Sequence, residues 1–172
     1  ERQMLITETY REQQTRLHQN PEYGVAARQW VDLVHQIAEK CLVTDILDYG
    51  CGKGELTKAL GRRYHITGFD PAILEASTPP APCEFVFCGD VLEHIEPECL
   101  DAVLDDLQRV TAKHGLFIIS TRPAKKTLPD GRNAHLIIQP LEWWIPRLAQ
   151  RFFLKTFQNF GNEAFMILVK KK

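Results

Sequence analysis

The sequence predicts an α/β protein with a mostly parallel sheet and an antiparallel hairpin at its C-terminal end. Short apolar runs alternate with amphipathic stretches along most of the 172 residues, as in sheets whose strands are joined by helices. A glycine-rich turn follows one of the apolar runs directly, in DILDYGCGKGEL at residues 45–56. The chain is 44% hydrophobic and 25% charged, which is typical of a globular domain with its own core.

The first half of the chain supplies two strands and two helices. Residues 23–41 place Val25, Trp30 and Val34 at helical spacing and predict an amphipathic helix. The next elements, in order, are a strand at 44–50, a helix at 54–64 and a strand at 65–70.

The second half continues the alternation and ends on two strands. Residues 83–92 form an apolar run of the kind found in buried parallel strands. We predict a helix over 96–115, with Pro97 in its first turn and Gly115 as its stop. A strand at 116–121, a helix at 140–152 and a hairpin of 153–160 with 163–171 complete the chain.

The glycine turn after the first strand indicates a nucleoside ligand without a phosphate. A dinucleotide-binding turn needs G-x-G-x-x-G, and here Glu55 or Thr57 stands at the third glycine position. No GK[ST] sequence follows, which excludes a phosphate-binding loop of that kind. Asp48 and Asp70 end the two flanking strands, where they can meet a positive charge and a ribose diol. S-adenosylmethionine carries an ammonium, a sulfonium and a ribose, and so fits this pattern.

Three segments together carry a family resemblance. ILDYGCGKG, GFDPA and FCGDVLEHI, within residues 44–121, closely resemble the class I S-adenosylmethionine-dependent methyltransferases. The resemblance implies a Rossmann-like methyltransferase fold and an enzyme that uses S-adenosylmethionine. It also implies a set of cofactor-binding residues: Asp48, Gly50, Cys51, Gly52, Gly54, Asp70, Pro71, Asp90 and Val91.

The chain departs from the family between the second and the next predicted strand. Family members place a helix and a third strand there, ending in an acid that contacts adenine. Residues 71–84 hold four prolines and no periodicity, so we expect both elements to be missing and the sheet to be shortened. Adenine contacts then pass to neighbouring positions, for which we expect Ile73, Leu74, Cys88, Gly89 or Asp90.

The D-x-x-E-H pattern of Asp90, Glu93 and His94 has two interpretations. It resembles the ubiquinone-biosynthesis O-methyltransferases and the small-RNA terminal 2′-O-methyltransferases, the latter with an E-x-x-E-H metal motif and a further histidine. That likeness implies a divalent metal site (Mg²⁺, Mn²⁺ or Zn²⁺) of Asp90, Glu93, His94 and His135. Without a metal, His94 or His135 is the candidate catalytic base for removing a hydroxyl proton.

Residues 121–144 are the predicted substrate-recognition segment, because they follow the last parallel strand and so lie above the carboxyl ends of the strands. Their basic side chains suit a phosphate or carboxylate on the acceptor. The substrate-binding candidates are Arg122, Lys125, Lys126, Arg132 and Trp143. Tyr10, Arg11 and Tyr23 in the N-terminal segment are further candidates that would close over the cofactor.

Charge and cysteine content limit the remaining choices. Net charge is −1, but residues 121–172 hold 10 Lys/Arg against 3 Asp/Glu, which favours an anionic partner or a solvated basic end. The five cysteines include no CxxC pair, which favours a reducing compartment, and we expect a cytoplasmic protein. No apolar run is long enough to span a bilayer, so no membrane partner is expected.

We therefore expect one S-adenosylmethionine-dependent methyltransferase domain over 1–172. Its predicted parts are an N-terminal helical cap (1–43), a cofactor-binding core (44–121), a substrate loop and helix (122–151) and a terminal hairpin (152–172). The leading expectation is O-methylation of a small-molecule or glycan acceptor that is anionic. One alternative is a metal-dependent RNA-terminal 2′-O-methyltransferase, against which the charge argues. Another is a non-catalytic S-adenosylmethionine-binding domain of a larger protein, because the chain opens on Glu1.

Overall fold

The computed structural model describes residues 3–172 and has one six-stranded sheet at its centre. In chain order the strands are β1 (Asp45–Tyr49), β2 (His65–Phe69), β3 (Cys83–Gly89), β4 (Thr111–Ser120), β5 (Phe152–Phe160) and β6 (Ala164–Lys171). Across the sheet they follow the order β2-β1-β3-β4-β6-β5. The first four are parallel, and β6 runs antiparallel to both β4 and β5. The predicted mostly parallel sheet with a C-terminal antiparallel hairpin is confirmed.

Helices cover both faces of the sheet. They are α1 (Glu8–Leu17), α2 (Val31–Lys40), α3 (Glu55–Leu60), α4 (Leu100–Val110) and α5 (Leu141–Arg151). α2 and α3 pack on one face, against Ile46, Phe85 and Phe87. α4 and α5 pack on the other face, where Leu47 and Val86 lie. Strand side chains therefore alternate between two apolar layers, which explains why the strands read as continuous apolar runs.

The third strand of the family and its helix are absent. Residues 70–82, all of which the structure describes, contain only a short 3₁₀ turn at Leu74–Ala76 between β2 and β3. β1 therefore pairs with β2 on one side and with β3 on the other, and β2 is an outer strand of the sheet. The prediction from the proline-rich 71–84 segment is confirmed.

The predicted helix over 96–115 is wrong at its C-terminal end. α4 stops at Val110, and Thr111 begins β4, with its hydroxyl donating to the carbonyl of Leu107 at 2.6 Å. Gly115 lies within the strand and pairs with Val86. A helical pattern continues through 111–114 in the sequence, but pairing with neighbouring strands makes these residues part of β4.

The N-terminal part is also more divided than predicted. The single helix expected over 23–41 is a 3₁₀ segment at Ala26–Trp30 followed by α2, and α1 precedes both. The first two residues of the predicted cap lie outside the described residues. Along residues 3–172, no helix is both long and apolar enough to cross a bilayer.

Candidate functional site

A cavity of about 430 Å³ opens at the carboxyl ends of the parallel strands. Its floor is formed by the ends of β1, β2 and β3, and by the turns that follow them. Its roof comes from two segments that are far apart in sequence, the N-terminal residues up to Ala27 and the loop after β4. These segments pack on each other through Tyr10, Leu128 and Ala134, so the roof has a small apolar core of its own.

The glycine turn forms one wall of the cavity, and its central position, Gly52, has no room for a larger residue. Gly52 has φ +51°, and a Cβ there would lie 2.5 Å from the carbonyl oxygen of Gly24. Gly50 and Cys51 donate their amides to the carbonyl of Phe69, at 2.7 and 3.0 Å, which ties the turn to β2. Gly54 is the N-cap of α3 and does not line the cavity.

Asp48 is buried at the end of β1 and lines the cavity. Its Oδ2 atom has no hydrogen-bond partner among residues 3–172. Burial raises the pKa of this carboxyl to about 7, and the charge of Asp70 adds to the effect. A cationic ligand group would supply the missing partner and favour the ionised form.

Asp70, at the end of β2, is held in a fixed orientation. Its Oδ2 accepts from the amide of Gly52 at 3.1 Å, and its Oδ1 accepts from the amide of Ala72 at 3.0 Å. Each oxygen keeps a lone pair for a ligand, and the residue lines the cavity together with Pro71.

The expected adenine contacts are only partly placed at the cavity. Gly89 and Asp90 line it, as does Val91, whereas Ile73, Leu74 and Cys88 do not. Leu74 is 86% exposed, so it packs on nothing here.

Two histidines meet at the far side of the cavity. The rings of His94 and His135 are edge to face, with centroids 4.7 Å apart. The Nδ1 of His94 donates to the carbonyl of Ala134 at 2.9 Å, and the Nδ1 of His135 donates to that of Arg122 at 2.6 Å. Because a carbonyl only accepts, both rings carry the proton on Nδ1, and Nε2 is left free in each. Burial and the neighbouring His135 lower the pKa of His94 to about 4.

Glu93 stands beside the two imidazoles. Glu93 and His94 lie in the 3₁₀ turn Leu92–His94, and His135 lies in the loop after β4. One ligand atom from each of the three residues falls within 4.8 Å of the others. The carboxyl is fully buried, and within the described chain neither oxygen has a hydrogen-bond partner. Burial raises the pKa of this carboxyl well above the ordinary value, and the charge of Asp90 adds to the effect.

The structure does not bring Asp90 into this group, although it was predicted as one of four metal ligands. Its backbone has φ 55°, and its Oδ2 accepts from the indole of Trp30 at 2.6 Å and from Gln29 at 3.3 Å. The 3₁₀ segment before α2 therefore holds this carboxyl, which lies outside the group of Glu93, His94 and His135 but is near enough to His135 to interact electrostatically.

The basic loop divides into two parts. Arg122, Lys125 and Lys126 line the cavity. Arg132 does not: it forms an ion pair with Asp130 at 2.7 Å on the outer side. Trp143 also lies outside the cavity, on α5 beneath the guanidinium of Arg147. Arg132 and Trp143 are therefore not part of the proposed site.

The N-terminal roof includes two of the residues predicted to close over the cofactor, Tyr10 and Tyr23, and one that was not predicted, His18. Tyr10 donates its hydroxyl to the carbonyl of His94 at 2.6 Å, and Tyr23 donates to Gln14 at 2.7 Å. Both tyrosines line the cavity, as does His18, whereas Arg11 does not. His18 had no predicted role, because its position depends on how the N-terminal segment folds over the glycine turn.

Comparison with known proteins gives a family match over most of the chain. The family described as "Methyltransferase domain" matches residues 18–162. No curated protein matches the chain.

Solved structures share the fold at low identity. A Burkholderia thailandensis 1,6-didemethyltoxoflavin-N1-methyltransferase, with its substrate and S-adenosylhomocysteine bound, is 13% identical with a TM-score of 0.71, covering 98% of this chain and 92% of that one. The N-methyltransferase NodS of Bradyrhizobium japonicum WM9, with S-adenosylhomocysteine, is 15% identical with a TM-score of 0.66 over 96% and 99%. The magnesium protoporphyrin IX methyltransferase of Synechocystis PCC 6803, also with S-adenosylhomocysteine, is 16% identical with a TM-score of 0.60 over 96% and 95%.

Proposed function

The chain belongs to the methyltransferase domain family and, as the sequence predicted, is an S-adenosylmethionine-dependent member of it. On that premise we propose that it methylates a hydroxyl group of a small, anionic acceptor. The observation that carries this proposal is the pair of free imidazole Nε2 atoms, on His94 and His135, in the same cavity that Asp48 and Asp70 line.

The cavity wall fits S-adenosylmethionine. The unpartnered Oδ2 of Asp48 suits a cationic group of the methionine part, and the two oxygens of Asp70 suit the ribose hydroxyls. The glycine turn between them allows close approach of the ligand to the backbone. Cys51, Pro71, Asp90 and Val91 also line the cavity, and we propose them as further contacts with the cofactor.

The histidines supply the base that a hydroxyl acceptor needs. Bound S-adenosylmethionine supplies a methyl group on a positively charged sulfur. The acceptor oxygen forms a bond to that methyl carbon, the carbon–sulfur bond breaks with its electron pair going to sulfur, and the hydroxyl proton passes to a free imidazole Nε2. His94 and His135 are both placed for this role. We favour His135, because burial lowers the pKa of His94 to about 4 and so makes His94 a weak base.

The three cationic residues at the cavity support an anionic acceptor. Lys125 and Lys126 are exposed at the cavity, and the Nζ of Lys126 lies 5.0 Å from the centre of the Tyr23 ring. Arg122 is partly buried and contacts Glu163 at 3.4 Å. A phosphate or carboxylate bound here would orient the acceptor hydroxyl for in-line attack, which is mainly a positioning effect.

Changing Lys125 and Lys126 together to alanine is expected to raise the KM of the acceptor at least tenfold, since even one charged hydrogen bond contributes about 1.5 kcal/mol. The dissociation constant of S-adenosylhomocysteine should not change. Arg132→Ala is the matched control, because Arg132 has the same charge on the same loop but lies outside the cavity.

The change in acceptor KM is measured by steady-state turnover of a panel of phosphorylated, carboxylated and neutral hydroxyl compounds. Raising the salt concentration should weaken acceptor binding in the same sense, because exposed charges are screened. A preference for neutral acceptors, unchanged by the double substitution, would contradict the assignment of an anionic acceptor.

A metal-dependent reaction is the second candidate function, and the Glu93–His94–His135 cluster favours it. Two free Nε2 atoms and a buried carboxyl group without a partner are a donor set that fits a divalent cation. Backbone carbonyls hold both imidazoles at Nδ1, as is usual for metal-binding histidines. A bound Mg²⁺, Mn²⁺ or Zn²⁺ would lower the pKa of an acceptor hydroxyl. An RNA-terminal 2′-hydroxyl is one such acceptor, although a net charge of −1 does not favour nucleic acid.

If the metal is required, excess chelator should abolish activity, and Mg²⁺, Mn²⁺ or Zn²⁺ should restore it. Elemental analysis of the purified protein should show metal in the wild type and in Asp90→Asn, and a loss in Glu93→Gln, since Asp90 lies outside the cluster. Full activity in excess chelator would leave a histidine acting as a simple base.

We propose a reducing, cytoplasmic location for the protein. The cysteines of the described chain are all free, which supports this proposal. We also propose that residues 1–172 act as one methyltransferase domain with the parts predicted above. A non-catalytic S-adenosylmethionine-binding domain would retain the Asp48–Asp70 wall but would have no need of the paired histidines.

A further inference from the structure

A short segment over the glycine turn, residues 18–24, is fixed to the cofactor wall by one lysine. We refer to it as the roof segment. The Nζ of Lys53 donates to the carbonyl of Asn20 at 2.7 Å and also to that of Tyr23. The amide of Lys53 donates to the carbonyl of Gly24 at 3.1 Å. Because Lys53 belongs to the glycine turn itself, the roof segment and the turn are held as one unit.

His18 begins this segment and has an unused polar atom at the cavity. Its ring packs edge to face on Tyr23, with centroids 4.9 Å apart. Its Nδ1 atom is buried, and nothing in residues 3–172 forms a hydrogen bond with it. A buried polar atom without a partner is unfavourable by about 1–3 kcal/mol, so an atom of this kind at a ligand cavity indicates a missing ligand contact.

The position of His18 identifies which part of the ligand it faces. His18 and Asp70 both line the cavity and are close enough to interact electrostatically. Burial lowers the pKa of His18, and the Asp70 carboxylate opposes this only partly, so the imidazole is neutral at pH 7. A neutral imidazole can donate to or accept from a hydroxyl group at Nδ1.

We propose that His18 is a ribose-binding residue of the cofactor site, forming a hydrogen bond through Nδ1 to one hydroxyl of the diol that Asp70 binds from the other side. This inference rests on the proposed binding of S-adenosylmethionine. It assigns the roof segment a specific function, which is to add a ribose contact to those that the cavity residues at the ends of β1 and β2 would supply.

Calorimetry with S-adenosylhomocysteine tests the proposal without any acceptor. His18→Ala is expected to weaken binding five- to twentyfold, as for the loss of one hydrogen bond to a buried group. His18→Phe should weaken it as much, because phenylalanine keeps a ring against Tyr23 but has no Nδ1. His18→Asn, whose side chain can place a polar atom near Nδ1, should bind more tightly than either. His65→Ala is the matched control, since the side chain of His65 is 80% exposed on β2.

Analogues of S-adenosylhomocysteine that lack the 2′- or the 3′-hydroxyl identify the bond. For one of the two analogues, wild type and His18→Phe should bind almost equally, because the contact is missing in both. Equal binding of S-adenosylhomocysteine by wild type, His18→Ala and His18→Phe would overturn the role of His18. Failure of the wild type to bind would instead contradict the proposed function. Melting curves without ligand show whether each variant is folded.

Discussion

Replacing His135 by alanine is expected to lower kcat by two to four orders of magnitude while leaving the affinity for S-adenosylhomocysteine within about twofold of wild type. The magnitude is that of a positioned general base, which typically contributes about 10²–10⁴ to the rate. The affinity should persist because the Asp48–Asp70 wall and the glycine turn do not contact His135 in the structure. Single-turnover kinetics and calorimetry on the same preparation measure the two quantities.

A second histidine variant separates the roles within the pair. His94→Ala should also lower kcat, but the Nδ1 of His94 donates to the carbonyl of Ala134, so this side chain also supports the roof. The hydrogen bond from the Tyr10 hydroxyl goes to the backbone carbonyl of His94 and should remain in the variant. His114→Ala is the control, because His114 lies on β4, away from the cavity. If His135→Ala kept more than a tenth of the wild-type kcat, the role of His135 as the base would be contradicted.

Replacing Asp70 by alanine is expected to weaken S-adenosylhomocysteine binding by one to two orders of magnitude, or roughly 1.5–3 kcal/mol for hydrogen bonds to a charged group. The loss includes an indirect part. Asp70 also accepts from the amides of Gly52 and Ala72, so its removal frees the glycine turn on one side and leaves two amides without a partner.

Asp70→Asn should show an intermediate loss, because the amide keeps one acceptor oxygen but has no charge. Glu75→Ala is the matched control, since Glu75 is an exposed acid on the same connection between β2 and β3. Calorimetry measures the affinity of wild type, Asp70→Ala, Asp70→Asn and Glu75→Ala for S-adenosylhomocysteine. Wild-type affinity in Asp70→Ala would remove the ribose assignment.

Much of the fold could be predicted from the sequence because its signals are local. The glycine turn, the apolar runs and the count of residues between Asp70 and Phe85 were enough to predict the parallel sheet and its missing third strand. The end of α4 could not be predicted in this way. Residues 111–114 continue a helical pattern, and only pairing with β3 and β6 makes them a strand.

The candidate site shows the same division between local and distant causes. Asp48 and Asp70 end two adjacent parallel strands, so their convergence follows from the predicted topology. Arg132 and Trp143 lie in or next to the predicted loop, but Asp130 and Arg147 determine where their side chains point. His18 was missed for a related reason, since it reaches the cavity only because Lys53 holds the roof segment in place.

The absence of the third strand makes β2 one edge of the sheet, while β5 forms the other, and the two edges differ in ways that affect self-association. An outer strand exposes unpaired amides and carbonyls that can recruit another chain into a growing sheet. β2 is only five residues long, which limits the ladder it can template. β5 is nine residues long, but a bulge between Leu154 and Thr156 interrupts its register, and Lys155 places a charge at the interruption. One edge is thus protected from aggregation by its brevity and the other by irregularity and charge.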